Sequence, residues 1–341
     1  MLLSAVFAIT SAMVGAGFAS GREIVVFFSR YGPFSWLLVL LAAIIIGILL
    51  RALLSIRLKP QEAPSGKTIC SVEWFPMLLM FAVAGGAMTA AAGELAALML
   101  PVFHGRAMGQ ILTLGAGIAI SRKSVRALGM IGKILIPLML LAFFFCFRAS
   151  TESNHDTCVS APPFGIALFQ LLGYCGLNVT LSAGVIHEAG LLCKDDRKLT
   201  VYSSIALGVL LIAGNAAMLP HASWLENVPL PIVMLLRKYG KAGFYLSAFV
   251  LYLAVFSTFV AILRAMRGLF PENIRLSGAW IGLLCAAFSL FGFERLVQYA
   301  YSALGWIGVL LILWKKFRKN GTKRKSVSSI GRTLMKEEIT E

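Results

Sequence analysis

Charge is scarce in this sequence. Only 13% of its 341 residues are Asp, Glu, Lys or Arg, while 59% are hydrophobic and the mean hydropathy is +0.84. Soluble domains carry about one-quarter charged residues, so a water-soluble domain is excluded and a polytopic membrane protein is indicated. Acidic residues are the scarcer sign, 15 against 31 Lys and Arg. Histidine is rare too: His104, His155, His187 and His221 lie in loops or at helix ends without ligand spacing. With no phosphate loop and no nucleophile elbow, the chain is not expected to be an enzyme. The six cysteines (70, 146, 158, 175, 193 and 285) are scattered and form no CxxC pair. That spacing argues against a metal site and a disulfide framework, and free thiols are expected, although Cys146 and Cys158 could approach each other on the outer side. Asp195-Asp196 reads as part of a solvated loop.

The basic excess sits between apolar segments and in the tail, where a positive-inside bias explains it without nucleic acid. No Lys or Arg precedes the first apolar run, and apolar sequence resumes at Ile24 after Phe18-Ala19-Ser20. The run therefore reads as an uncleaved helix, not a signal peptide.

What the chain has instead is ten apolar segments near the length of about 20 residues that a bilayer needs. They are 2–28, 33–54, 72–100, 107–120, 127–147, 164–186, 201–219, 243–263, 276–293 and 296–314, with a polar stretch at 148–163 dividing them five and five. With the N-terminus inside, the inner connections and tail hold 22 of the 31 Lys and Arg, against 8 at outer positions. Both termini are thus expected in the cytoplasm of a cell-membrane protein. The domain boundaries follow: a transmembrane domain over 1–314, with halves 1–147 and 164–314, and a basic tail over 315–341. Leu225 to Gly240 is too short to span and is expected to form a hairpin or re-entrant cap on the outer face.

The stretch Val14 to Ile24, VGAGFASGREI, interrupts the first segment with Gly15, Gly17, Gly21 and Ser20. Glycine costs a helix about 1 kcal/mol relative to alanine, and a break in lipid leaves costly unpaired backbone groups. GYCGLNV, Gly173 to Val179, is expected to interrupt the sixth segment at the corresponding place. Since five is odd, the second half has inverted topology, and paired interruptions of this kind point to a transporter binding site near the bilayer midplane.

On these features the chain resembles five-plus-five inverted-repeat (LeuT-type) transporters of the amino acid–polyamine–organocation superfamily. Within it, VGAGFASGREI resembles the first-helix motif of YkvI-type bacterial membrane proteins, which commonly have Gln or another polar residue where Arg22 stands. Ile136-Pro137, Val228-Pro229 and the Ser-Thr of the eighth segment extend the likeness over residues 1 to 314. The resemblance implies an all-α membrane fold with discontinuous first and sixth helices, and a transport function. Its sodium-coupled members further suggest that carbonyls near Ser11 and Val14 join the Ala254 carbonyl and the Ser257 and Thr258 hydroxyls around Na⁺. Proton-coupled relatives suggest the competing choice, Lys133 in the fifth segment, unless that lysine snorkels to the inner interface.

Free backbone N–H groups at a helix start attract anions. The amides of Ala16, Gly17, Phe18, Ala19 and Ser20 are therefore expected to face a carboxylate, Gly15 and Gly17 permitting close backbone approach, with Tyr174, Gly176 and Asn178 completing the pocket, or Asn178 instead making an interhelical hydrogen bond. Arg22 or Glu23 could bridge to Glu294 or Arg295 as an outer gate. Glu94 either lines an outer vestibule or pairs with an arginine, and Gly85-Gly86 allows close packing. The expected function is secondary transport of a small amino acid or related zwitterion by alternating access, coupled to Na⁺ or H⁺, with no cofactor beyond that ion. The expected partners are the solute and the lipid bilayer. The alternative is a solute-sensing receptor subunit without transport, as in spore germinant receptors of similar fold.

Overall fold

The computed structural model describes residues 1–56, 74–99, 104–150, 163–193, 195–226, 228, 230–269, 278–292 and 303–316. All regular structure among them is helical, as lipid requires of an open chain whose backbone must satisfy itself. The helices are α1 (Leu2–Met13), α2 (Ala16–Ala19), α3 (Arg22–Phe27), α4 (Ser35–Ser55), α5 (Trp74–Met99), α6 (Gly105–Ser121) and α7 (Val125–Ser150). Then follow α8 (Phe164–Leu181), α9 (Ala183–Leu192), α10 (Asp196–Met218), α11 (Ala222–Leu225), α12 (Pro231–Leu236), α13 (Gly240–Leu269) and α14 (Gly278–Ser289). A final helix covers 303–316.

Each of the ten apolar segments therefore carries helix. Six helical stretches among the described residues are long and apolar enough to cross a membrane by themselves: Ser29–Ser55, Phe75–Met99, Val125–Ala149, Phe164–Leu181, Asp196–Leu225 and Pro231–Arg267. The protein is a multi-pass membrane protein. Its basic tail beyond 316 lies outside the described residues.

Burial ranks the spans. The most apolar window of Pro231–Arg267 is 78% buried and that of Val125–Ala149 only 39%, so α13 is interior and α7 turns one side outward. α1 packs on α7, α9, α10 and α13, which makes it the axis of the bundle. The helices meet through small residues, as they must where lipid competes equally for apolar side chains. Gly132 of α7 faces the Phe7 carbonyl and Ser11 of α1. Gly85 and Gly86 of α5 lie against Cys285 and Phe288 of α14, a packing role for that pair.

The sixth segment departs from its expected form. α8 runs unbroken through Gly173–Val179, and the interruption comes at Ser182 (φ −88°, ψ 2°), before α9. The glycines serve contact with the final helix: a Cβ on Gly176 would stand 2.6 Å from the Gly305 carbonyl oxygen. The polar side chains are satisfied within the helix, Asn178 Nδ2 donating to the Tyr174 carbonyl (2.9 Å) and Thr180 Oγ1 to that of Gly176 (2.7 Å). Such back-bonding removes any need for a break. Gly305→Ala tests this packing, because its Cβ would stand 2.7 Å from the Gly173 carbonyl carbon. Overpacking against backbone costs about 1–3 kcal/mol, so its thermal midpoint in detergent is expected to fall. Gly115→Ala, with nothing within 4 Å, is expected not to lower it.

Candidate functional site

The first segment is interrupted twice. α1 stops at Met13, Val14 (φ −81°, ψ 83°) and Gly15 (φ −83°, ψ −174°) leave the helix, α2 makes one turn of four residues, and Gly21 turns the chain at φ +83° into α3. That left-handed turn suits glycine. A Cβ there would also stand 3.2 Å from Met218 and Pro231.

The end of α1 presents its last carbonyls to α13. Ser257 Oγ donates to the carbonyls of Ser11 (2.8 Å) and Ala254 (3.0 Å), and Thr258 Oγ1 to those of Ala12 (3.1 Å) and Val14 (3.2 Å). All five residues expected around a cation, Ser11, Val14, Ala254, Ser257 and Thr258, thus meet, and all are buried. A hydroxyl carries one proton, so two protons serve four carbonyl oxygens at this point. Three of these oxygens, those of Ser11, Ala12 and Val14, belong to the end of α1, where helix carbonyls run out of intrahelical donors.

α3 folds back over the break. Gly17 has no room for a side chain because the Glu23 carboxyl lies on its α-carbon, with Glu23 Cδ 2.6 Å from where a Cβ would stand. Glu23 is only 6% exposed, and its expected gate partners Glu294 and Arg295 lie outside the described residues. Phe18 is fully buried with its ring edge-on to Phe143 of α7 at 6.2 Å, which makes it part of the core. The Ala19 and Ser20 amides donate to the carbonyls of Gly15 and Ala16, at 2.9 Å each, so these two do not serve an anion as expected. The Ser20 hydroxyl donates to the Gly17 carbonyl (2.9 Å).

The 225–240 connection caps this region. Ile232 donates its N–H to the Ser20 carbonyl (2.9 Å), and Arg22 Nη1 donates to the carbonyls of Glu226 (2.7 Å) and Val228 (3.0 Å). Arg22 is therefore a clamp on the cap, and the bridge expected to Glu294 or Arg295 involves residues outside the described ones. Arg30 reaches Glu226 Oε1 (3.7 Å) and Gln170 Oε1 (2.7 Å). Beside the cap, a recess of about 50 Å³ is lined by Ala16, Ala91, Glu94, Leu95, Leu98, Leu230 and Leu251. Glu94, one of these lining residues, pairs with Arg106 at 2.8 Å, the second of the two roles expected of it.

Other predicted residues fall elsewhere. Tyr174 packs its ring on Phe27 (5.1 Å) and Phe28 (5.5 Å), at the C-terminal end of the first segment. Gly176 and Asn178 are occupied in helix packing and back-bonding, so the sixth segment does not open a half-site where expected. Lys133 is exposed, while its neighbour Gly132 takes the place facing α1. Neither Ser257 nor Thr258 has its hydrogen bonds with Lys133; both bond the carbonyls named above.

One cluster was not legible in advance. Arg264 near the end of α13 is 8% exposed, forms a two-point ion pair with Glu188 of α9 and donates from Nη1 to the Lys123 carbonyl (2.6 Å). In sequence it was one basic residue among several in a connection. Only the 76-residue separation from Glu188, closed by the fold, reveals the pair. Asp195, nearby in sequence, caps α10 by accepting the Lys198 N–H (3.0 Å), a bond that holds its carboxyl below the usual carboxylate range.

With this geometry in place, likeness to known proteins is informative. The chain overlays a manganese transporter of Eremococcus coleocola, solved in complex with an aromatic bis-isothiourea substituted compound, with TM-score 0.57 and 11% identity. The match covers 92% of this chain and 75% of that one. The two chains share a fold. A mutant of the same transporter overlays with TM-score 0.53, covering 93% and 86%. In sequence the chain is 23% identical to the uncharacterized protein YyaD of Bacillus subtilis (strain 168), over 89% of this chain and 93% of that protein. It is 22% identical to the uncharacterized membrane protein YkvI of the same organism, over 90% and 92%. No family model matches it.

Proposed function

We propose that this protein is a secondary transporter for a small amino acid or related zwitterion, coupled to Na⁺ bound between α1 and α13. The observation that carries the reading is the cluster of Ser11, Ala12, Val14 and Ala254 carbonyls around two hydroxyls, which has acceptors in excess. Neutral oxygens suit a weakly demanding monovalent ion better than Mg²⁺ or Ca²⁺, which favour carboxylates and water. The transporter fold and the double break in the first segment support alternating access. In this reading the ten segments form two inverted halves, both termini are cytoplasmic, α9 and Arg264 lie inside, and α12 lies outside. Manganese, named for the structural neighbour, is a weaker cargo here. Among the described residues no three His, Cys, Asp or Glu side chains converge as a metal site.

Reconstituted in proteoliposomes, the protein is expected to take up amino acids when a Na⁺ gradient is imposed. Ser257→Ala with Thr258→Ala is expected to remove the sodium dependence. Unchanged sodium-driven uptake in the double variant rules the site out. Uptake driven only by a pH gradient would remove sodium as the coupling ion.

A further inference from the structure

Glu23 is the buried acidic side chain left over when the roles above are assigned. It stands in the first turn of α3, 6% exposed, and its Oε2 has no hydrogen-bond partner. Among the described residues it forms no ion pair, although two arginines are close in sequence. Arg22 is directed to the carbonyls of Glu226 and Val228, and Arg30 to Gln170 and Glu226. The positive groups of this segment are thus committed elsewhere, while the acid faces inward. The Tyr174 phenol on α8 is an electrostatic neighbour of the carboxyl and brings no positive charge.

The chain is shaped to hold the acid there. Gly21, at φ +83°, turns α3 back over α2, and Gly17 vacates the volume in which the carboxyl rests. Two of the three motif glycines therefore serve the seating of Glu23. A carboxyl buried without a hydrogen-bond partner loses its hydration with nothing to replace it, and its ionised form is favoured only when a positive group comes beside it. A site that keeps the acid, and provides the turn and the space for it, gains when a cation arrives.

We propose that Glu23 is the ligand for the positively charged nitrogen of the transported solute, a primary ammonium, beside the Gly15–Gly21 break. This rests on the transport reading above and narrows its substrate class to amine-bearing solutes. The sequence assigned Glu23 to an outer gate and gave the pocket no acidic group, so the ammonium partner is new.

The test is a thermal-shift panel on the full chain in detergent. The probes are zwitterionic amino acids (glycine, alanine, leucine), simple amines (methylammonium, ethylammonium) and the amine-free acids acetate and propionate. Amine-bearing probes are expected to stabilise the wild type. Glu23→Gln is expected to weaken their binding about a hundredfold, as truncating a buried charge pair does, and not to lower the midpoint of the unliganded protein. Should that variant not fold, Gly17→Ala decides, since it keeps the acid and displaces it, and loss of the amine response is expected again. Equal stabilisation of wild type and variants by amino acids overturns the ammonium site and leaves the proposed function standing. Response to simple amines alone, abolished in Glu23→Gln, leaves the site standing and removes amino acids as cargo. Silence of the whole panel on wild type overturns both. Stabilisation unchanged by Glu23→Gln with loss only of pH-gradient-driven uptake makes Glu23 a proton carrier and overturns the ammonium assignment.

Discussion

Glu188→Ala is expected to destabilise the protein by about 3 kcal/mol, more than Arg264→Met does. The asymmetry comes from burial. The Arg264 side chain is 5% exposed and that of Glu188 39%. Removing the glutamate strands a buried guanidinium, and breaking a buried pair from one side costs about 3–5 kcal/mol. The Lys123 carbonyl, still within 2.6 Å of Nη1, offsets part of this loss. Removing the arginine instead leaves a carboxylate that water can reach and one unpaired carbonyl, a loss of about 2 kcal/mol for charge-assisted bonds. Thermal unfolding of the two variants in detergent gives the order directly, and equal midpoints would remove the argument. The pair also ties α9 to α13 and to the 121–126 connection. Cys193, buried at the end of α9, is a native reporter of that tie. Its labelling by a thiol reagent, located by peptide mapping, is expected to accelerate in Glu188→Ala.

Arg22→Met is expected to release the opposite face. One guanidinium nitrogen serves both the Glu226 and Val228 carbonyls, and the Ile232 N–H to Ser20 carbonyl bond lies alongside. Each charge-assisted hydrogen bond is worth about 1.5–3 kcal/mol. Because Arg22 is only half-buried and the freed carbonyls can meet water, the net loss is expected near the lower figure, about 2 kcal/mol. Ala16 is buried and lines the recess beside the cap. A cysteine placed by Ala16→Cys is therefore expected to react faster with a charged thiol reagent when combined with Arg22→Met, and no faster when combined with Glu188→Ala. Reaction at the same rate in all backgrounds would show that neither clamp limits access to the break.

Local signals in the chain were read correctly where one segment decides its own conformation. The ten apolar runs carry helix because a backbone in lipid must bond to itself, whatever its neighbours. The first-segment interruption was legible for a similar reason: Gly15, Gly17, Ser20 and Gly21 within so few residues make a continuous helix costly. Ala254, Ser257 and Thr258, at i, i+3 and i+4, already indicated one face of α13. The resemblance to sodium-coupled transporters pointed that face at the end of α1.

The errors have a common origin. A glycine serves equally to break a helix or to let another helix approach, and GYCGLNV carries no mark of which. The final helix, with Gly305 against Gly173 and Gly176, decided it, and the interruption moved to Ser182. Lys133 and Gly132 differ by one position, about 100° around a helix, and only the packing of α7 on α1 determines which faces inward. Arg22 and Glu23 likewise read as one charged pair just outside the first break, and the Gly21 turn sends one to the cap and the other to the core. The sequence by itself determined the solvent, the helices and the place of the first break, since these follow from the local balance of hydration and backbone bonding. The tertiary structure alone decided which polar groups meet, because partners such as Arg264 and Glu188 or Thr258 and Val14 are far apart in the chain. Their pairing follows from how whole helices pack.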